Sequence, residues 1–84
     1  MLMWYVYALY SPGSDIIYVG MSERPEERLE EHNRGKVKST KGHIPWRKFF
    51  VVEAGDREAA RRIEKYYKGA SGKRKLRKIL QAED

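Results

Sequence analysis

Two closely spaced strand patterns near the N-terminus constrain the fold more than any other feature of the 84-residue sequence. Residues 3–11, MWYVYALYS, are rich in aromatic and β-branched side chains, and residues 16–20, IIYVG, follow after the turn signal SPGSD. Two strand patterns joined by so short a loop predict an antiparallel hairpin. Because side chains alternate along a strand, we expect Tyr7 and Leu9 on one face of the sheet and Val6 on the other.

The next two elements are marked by helix and strand signals. Residues 25–33, PEERLEEHN, begin with a proline suited to a first turn, and Gly35 supplies a stop, so a helix is predicted between them. Ser22 is the expected N-cap. Residues 46–54, WRKFFVVEA, predict a third strand.

Two more helices are predicted in the C-terminal part of the chain. Asp56 is expected to cap the first of them and Gly69 to end it, and Ser71 to cap a last helix that runs to about Ala82. The expected core face of the first recurs at helical spacing: Ala59, Ala60, Ile63, Tyr66 and Tyr67. The order β-β-α-β-α-α predicts an α+β fold, with a small three-stranded antiparallel sheet flanked by helices and a single domain over residues 1–84.

The charge is divided unevenly along the chain. Residues 1–33 carry six acids and two bases, a net of −4, whereas residues 34–84 carry sixteen bases and six acids, a net of +10. This asymmetry is typical of proteins that bind the nucleic-acid backbone, and a lysine-rich solvated surface is the alternative. The bases expected to contact nucleic acid lie in the polar, plausibly mobile connection after the first helix and at the start of the last: Arg34, Lys36, Lys38, Lys41, Lys73, Arg74 and Lys75.

Several classes of protein are excluded by what the sequence lacks. There is no cysteine, and no apolar run is long enough to cross a membrane. With no signal-peptide pattern at the start, the expectation is a cytoplasmic protein without a membrane partner. No His-Cys metal cluster, nucleotide-binding glycine loop or Ser-His-acid arrangement can be assembled. Phosphodiester hydrolysis with one metal ion stays chemically open.

Such hydrolysis needs a metal-binding carboxylate and a group that activates water. Tyr7 and Tyr18 lie on the two predicted hairpin strands, where their hydroxyls can serve proton transfer. Glu64 lies beside the apolar stripe of its helix, where it can approach a divalent cation. Each has an ordinary alternative, since tyrosine is common in strands and Glu64 can pair with Lys68 one turn away.

The same chemistry needs a cation for the charge that develops on phosphorus. Arg28 and His32 are four residues apart and therefore share a face of the first helix, where one can hold a phosphate and the other can accept a proton. The alternative is a solvated pair of Arg28 with Glu31. If the helix serves phosphate binding, its glutamates should point away from the site: Glu23, Glu26, Glu27, Glu30 and Glu31.

Taken in order, these segments resemble the GIY-YIG nuclease superfamily, in particular its small single-domain branch. The resemblance rests on YVYALYS, on IYVGMSERPEERLEEHNRGK and on WRKFFVVEAGDREAARRIEKYYKGASGKRK, and it covers about residues 4–80. It implies a divalent-metal-dependent DNA endonuclease that uses one Mg²⁺ or Mn²⁺ and acts in DNA repair or processing. Because the basic loop and the last helix can grip backbone phosphates but read bases poorly, we expect it to be structure-directed or weakly sequence-specific. RNA is not excluded as a substrate, and the oligomeric state is not predicted.

The resemblance also implies a role for each residue that matches a family motif. The two motif tyrosines, Tyr7 and Tyr18, would line the catalytic site, and one of them is a candidate to activate water. Arg28 would contact the scissile phosphate, with His32 as its neighbour in proton handling. Glu64 would bind the metal ion, and Gly20 would allow close approach of the backbone.

The sequence departs from the family pattern at three places. Tyr5 stands where the name-giving glycine would be, and Val19 replaces the isoleucine of the second motif. Many family nucleases have an asparagine beyond the metal-binding glutamate, whereas Asn33 is the only asparagine here. A non-catalytic nucleic-acid-binding module of the same fold is therefore the alternative, and a basic protein-interaction domain is a third interpretation.

Overall fold

The N-terminal hairpin forms one edge and the centre of the sheet. The computed structural model describes residues 2–83, in which β1 spans Trp4–Ser11 and β2 spans Ile16–Ser22. A third strand, β3 (Arg47–Gly55), pairs with the other side of β1, and both pairings are antiparallel. The strand order is β2-β1-β3. The predicted sheet is confirmed, with β3 beginning one residue later than expected.

Three helices flank this sheet. α1 spans Pro25–Asn33, α2 spans Arg57–Lys68 and α3 spans Ala70–Ala82, and a single 3-10 turn at Lys41–His43 lies between α1 and β3. The α+β class and the order β-β-α-β-α-α are confirmed. None of the helices in residues 2–83 has the length and apolar character needed to cross a membrane.

One face of the sheet packs against α2 and α3. Val6, Ala8 and Val19 form the strand side of this core, and Ala60 and Leu76 are the fully buried helix residues that meet them. Burial of these aliphatic side chains supplies the main driving force for docking the two helices. The expected stripe on α2 is therefore largely correct, but its member Tyr66 is 48% exposed and lies outside the core.

The opposite face of the sheet carries a second apolar cluster, which holds α1. Tyr7, Leu9 and Trp46 are its buried members, with Tyr18 and Leu29 packed against them. Tyr7 and Leu9 thus share a face and Val6 lies on the other, as the alternation predicted. Leu29 is the apolar anchor of α1 in this cluster, so most of that helix is left for polar contacts.

The helix ends agree with the sequence in part. Asp56 caps α2 through its side chain as predicted, and Gly69 ends that helix. Gly69 is also the N-cap of α3, so Ser71 is not the cap but lies inside the helix. Arg24 rather than Ser22 occupies the N-cap of α1, and Ser22 instead accepts a hydrogen bond from the Arg24 amide at 2.9 Å.

The tight turn between α2 and α3 brings a glycine against the preceding helix. Gly72 is buried, and a Cβ atom added there would lie 2.5 Å from the Cα of Tyr67 and closer still to the carbonyl oxygen of Tyr66. Both neighbours are backbone atoms, which cannot turn aside as a flexible side chain can. Any larger residue at Gly72 would therefore push α3 away from α2.

Candidate active site

The candidate residues Tyr7 and His32 are joined by a buried hydrogen bond. The Tyr7 hydroxyl lies 3.1 Å from His32 Nε2, and the two side chains are 1% and 0% exposed as residues. The Tyr18 ring packs edge-on against the same imidazole, with ring centroids 5.0 Å apart. Strands β1 and β2 therefore bring both motif tyrosines to His32 on α1.

Burial governs the acid–base properties of this pair. Burial raises the pKa of Tyr7 to about 12, with a smaller contribution from Tyr18, while Arg28 acts in the opposite direction. Burial also lowers the pKa of His32, and the nearby positive charge of Arg28 lowers it further. At neutral pH the structure therefore holds a protonated phenol against a neutral imidazole.

Gly20 determines where the Tyr7 hydroxyl can lie. The two residues are directly opposite each other in the β1–β2 ladder. A Cβ atom added at Gly20 would lie 2.6 Å from the Tyr7 hydroxyl oxygen and 2.7 Å from Cζ. The absence of a side chain thus lets the tyrosine ring cross over the edge strand, so the group that approaches Gly20 closely is a side chain and not the backbone expected from the sequence.

Arg28 lies on α1 near the same network, but its guanidinium is paired with an acid. It lies 2.9 Å from the Glu31 carboxylate, and both side chains are about half exposed. The positive charge of Arg28 also acts on Tyr7, where it lowers the pKa of the phenol against the effect of burial. The alternative pairing of Arg28 with Glu31 is therefore formed, and the guanidinium remains close enough to Tyr7 to affect its pKa.

The glutamates of α1 and of the residues just before it do not all point away from Arg28. Glu26 pairs with Lys48, and Glu30 lies 3.5 Å from Arg34. The expectation is wrong for three others, which line a cleft of about 770 Å³ together with Arg28: Glu23, Glu27 and Glu31. Tyr7, Tyr18, His32 and Glu64 are outside the lining of this cleft. An incoming phosphate must therefore compete with acidic side chains for Arg28.

Glu64 approaches from α2, on the other side of the sheet. Its side chain is only 15% exposed, and it pairs with Lys68 at 3.4 Å and with Arg61 at 4.0 Å. Its negative charge reaches the Tyr7 hydroxyl and contributes to the raised pKa of that group. The ordinary pair with Lys68 is thus present, and the carboxylate is also near enough to the Tyr7 hydroxyl to affect its pKa.

The connection between α1 and β3, predicted to be a mobile loop, is anchored at its centre. Thr40 is buried, and its hydroxyl lies 2.8 Å from His32 Nδ1. The indole Nε1 of Trp46 donates to the Thr40 carbonyl at 2.9 Å. Sequence reasoning missed this residue because the only available signal was a short polar side chain in a basic segment.

Asn33 was also missed as a structural residue. Its side-chain oxygen accepts from the Trp46 amide at 2.6 Å, and its side-chain nitrogen donates to the Trp46 carbonyl at 3.0 Å. These are the two bonds that a neighbouring strand residue would make, so the end of α1 is tied to the start of β3. Asn33, which follows His32, thereby fixes the position of the end of α1 relative to Trp46.

The bases predicted to bind nucleic acid differ in their surroundings. Lys73 is half-buried, unlike the other six, and its Nζ donates to the carbonyl of Ile17 at 2.8 Å. The exposed members lie on the connection after α1 and on α3: Arg34, Lys36, Lys38, Lys41, Arg74 and Lys75. Six of the seven predicted residues are therefore placed where a polyanion can reach them.

Comparisons with known proteins agree with this arrangement at the level of the family. A family model described as the GIY-YIG catalytic domain matches residues 3–78. A search of curated proteins found no match. The family match includes all three strands and the five residues that the sequence singled out for catalysis and metal binding. Because the match covers most of the chain, the protein belongs to the GIY-YIG family of nuclease domains.

Proposed function

We propose that this chain is a divalent-metal-dependent endonuclease that hydrolyses phosphodiester bonds in DNA. The observation that carries the proposal is the buried hydrogen bond between Tyr7 and His32, with Arg28 and Glu64 near enough to affect the pKa of the Tyr7 hydroxyl. A cation and a proton acceptor on α1 and a carboxylate on α2 thus act on one phenol. Phosphodiester hydrolysis requires these three kinds of group.

Arg28 is the group proposed to hold the scissile phosphate. Its guanidinium is always charged and presents several donors in a planar fork that matches phosphate oxygens. In the free protein some of these donors are used by Glu31. Phosphate binding would exchange the Glu31 carboxylate for a phosphate oxygen.

Tyr7 and His32 are proposed to accept the proton of the attacking water as a pair. With a pKa of about 12, Tyr7 is not a phenolate at neutral pH and cannot act alone as the base. It can take a proton from water while it passes its own hydroxyl proton to His32 Nε2, 3.1 Å away. Replacing each motif tyrosine by phenylalanine distinguishes their roles: Tyr7→Phe should slow cleavage more than Tyr18→Phe.

Glu64 is the residue proposed to hold the metal ion. In residues 2–83, no group of three or more His, Cys, Asp or Glu side chains is arranged to bind a metal ion. One largely buried carboxylate nevertheless fits Mg²⁺ or Mn²⁺, since such ions keep several waters and are often held by one carboxylate with substrate phosphate oxygens. A divalent cation bound there would stabilise negative charge on the phosphate during hydrolysis.

The distribution of exposed bases supports a backbone-directed interaction. The connection after α1 and α3 both present lysines and arginines to solvent. Such contacts position a phosphate backbone but do not distinguish bases. We therefore propose structure-directed or weakly sequence-specific binding that weakens steeply with salt, as would suit DNA repair or processing.

The test is a cleavage panel with branched, single-stranded and duplex DNA, and RNA of the same sequences, in Mg²⁺, in Mn²⁺ and in chelator. We expect metal-dependent cleavage of at least one DNA substrate and no cleavage in chelator. Arg28→Gln and Glu64→Gln should each lower the cleavage rate by about 10²-fold or more. Glu58→Gln, which removes an exposed carboxylate from the same helix as Glu64, is the matched control and should keep the parent rate.

Binding measurements separate this proposal from its alternative. Fluorescence anisotropy with the same substrates should show that Glu64→Gln still binds DNA. A protein that binds with strong salt dependence but cleaves no substrate with either metal would be the non-catalytic module. Equal cleavage by the parent and by Glu64→Gln would show that the metal site is assigned wrongly.

A further inference from the structure

A buried threonine in the basic connection is the next residue in the hydrogen-bond network of the site. Thr40 is 1% exposed, although its neighbours Ser39 and Lys41 are exposed. Its hydroxyl lies 2.8 Å from His32 Nδ1 and donates to the Val37 carbonyl at 3.3 Å. A buried hydroxyl with two specific partners is not explained by core packing alone.

The donors in this network have a single consistent direction. The Thr40 hydroxyl donates its one hydrogen to the Val37 carbonyl, so towards His32 it accepts, and Nδ1 carries the hydrogen. A neutral imidazole with hydrogen on Nδ1 has none on Nε2, which therefore accepts. The phenolic hydrogen of Tyr7 is accordingly directed to His32 Nε2.

The backbone of Thr40 holds the hydroxyl of this residue in place. The Thr40 carbonyl accepts from Trp46 Nε1 at 2.9 Å, and the Thr40 amide donates to the Val37 carbonyl at 3.1 Å. Trp46 is in turn held on both sides by the side-chain amide of Asn33. The position of the hydroxyl is therefore set by contacts that a substitution of the Thr40 side chain leaves intact.

The groups around His32 favour the neutral ring that this arrangement requires. Tyr7 faces it from β1 and Tyr18 from β2, while Arg28 and Glu31 lie on its own helix. Burial and Arg28 lower its pKa, and Glu31 opposes them more weakly. The imidazole thus has one hydrogen to place, and its two partners decide which nitrogen carries it.

We propose that Thr40 is a positioning residue of this site: it accepts a hydrogen bond from His32 Nδ1–H and thereby keeps Nε2 free to accept the Tyr7 proton. The inference rests on the proposed nuclease function. During hydrolysis the attacking water would bond to phosphorus and give a proton to the Tyr7 oxygen, while Tyr7 gives its own proton to Nε2. The phosphorus–oxygen bond to the leaving group breaks, and that oxygen takes a proton from solvent.

Without the threonine acceptor, the tautomer of His32 that carries hydrogen on Nε2 becomes the more favourable one. An unpaired Nδ1–H buried beside Val37 would be costly, whereas hydrogen on Nε2 could be donated to the Tyr7 oxygen. His32 would then be a donor to Tyr7 and could not take its proton. The role of Thr40 is therefore visible as a tautomer, which is independent of whether the protein cleaves anything.

The first experiment records long-range ¹H–¹⁵N correlations of the histidine rings in the parent protein without nucleic acid, at a pH where His32 is neutral. His43→Gln removes the other histidine of the chain and assigns the signals. We expect His32 to carry hydrogen on Nδ1. A spectrum that shows hydrogen on Nε2 would overturn the proposal without any variant at Thr40.

The second experiment compares Thr40→Val, which has nearly the same shape without the hydroxyl, with Thr40→Ser, which keeps the hydroxyl. We expect Thr40→Val to shift His32 toward the Nε2–H tautomer and to lower the cleavage rate by about 10- to 100-fold, the size typical of residues that orient a functional histidine. Thr40→Ser should keep the parent tautomer and recover most of the rate. A Thr40→Val protein with the parent tautomer would show that Thr40 does not set it.

The two proposals can fail separately. A parent protein with the Nδ1–H tautomer and no cleavage of any substrate would refute the nuclease function and leave the tautomer assignment standing. A parent protein that cleaves with hydrogen on Nε2 would refute the role of Thr40 and leave the nuclease function standing.

Discussion

The guanidinium of Arg28 lies 2.9 Å from the carboxylate of Glu31, three residues further along the same helix. The hydrogen bond to Arg28 is the main reason that the pKa of Glu31 is lowered. Arg28 is also the residue proposed to meet a phosphate. The free protein thus keeps an internal anion on the group that would bind the substrate anion.

Glu31→Gln should strengthen DNA binding and raise the cleavage rate at low substrate concentration. Both side chains of the pair are about half exposed to solvent, so the gain should be small, roughly one- to fivefold. Glu30→Gln removes the same charge from the neighbouring position, where the carboxylate faces Arg34 instead. Titration of both variants against one DNA substrate checks the prediction. An equal gain in affinity for both variants would mean that the change in net charge, and not the release of Arg28, causes the gain.

Gly20→Ala should lower the cleavage rate strongly and destabilise the fold moderately. The added Cβ would lie 2.6 Å from the Tyr7 hydroxyl oxygen, so the phenol must move off His32. We expect a stability loss of about 1–3 kcal/mol from this overpacking. Single-turnover cleavage should fall by about tenfold or more, because a displaced catalytic group loses much of its effect.

A double-mutant cycle shows whether the loss acts through the hydroxyl. If Gly20→Ala disables the Tyr7–His32 contact, it should lower the cleavage rate of Tyr7→Phe much less than that of the parent. Independent, additive losses would mean that Gly20 affects the site by another route.

Stability should decrease as the pH falls through the titration of His32. Its folded pKa is lowered by burial and by Arg28, so between the ordinary value of about 6.5 and the lower folded value the unfolded chain binds more protons. The contribution of His32 to stability is complete above this window, declines as the pH falls through it and is lost below it. Asp15 and Glu31, whose folded pKa values are also lowered, contribute only at more acidic pH.

Urea unfolding at about pH 7.5 and at about pH 5.5 measures this decline in the parent and in His32→Gln. The difference between the two pH values should be smaller in His32→Gln. His43→Gln is the matched control and should keep the parent difference. The same pH dependence in all three proteins would remove His32 as its source.

Gly72→Ala should destabilise the fold without touching the site. The new methyl group would meet the backbone of Tyr66 and Tyr67, and overpacking of this kind costs about 1–3 kcal/mol. For a domain of this size the Tm should fall by about 4–8 °C for each kcal/mol. Gly13→Ala, where a Cβ would meet nothing within 4 Å, is the control for the change of residue. A Tm equal to that of the control would show that the turn accommodates the methyl group.

Hydrophobic periodicity and the capping and turn residues predicted the helices and strands because these signals are local in the sequence. The alternation in β1 placed Tyr7 and Val6 on opposite faces, and Asp56 marked the start of α2, as the structure has them. The motif order also indicated the five candidate site residues. None of these predictions needed to know which distant side chains meet.

The contacts that sequence reasoning missed depend on which separate parts of the chain meet in the folded protein. Thr40 meets His32 only because the chain between them folds back, and no period links a residue to a hydroxyl eight positions away. The close approach at Gly72 depends on how tightly α3 turns against α2. The pair of Arg28 with Glu31, in contrast, was already an alternative in the sequence, because residues three apart on a helix are neighbours.

Lys73 has a consequence for how copies of this protein behave at high concentration. It was predicted to bind nucleic acid, yet its Nζ donates to the Ile17 carbonyl on β2, an edge strand of the sheet. An exposed edge is a template on which a strand of another molecule can add, and a lysine placed along it opposes that addition. We therefore expect Lys73 to oppose the pairing of β2 with a strand of another copy and so to keep this small sheet from aggregating.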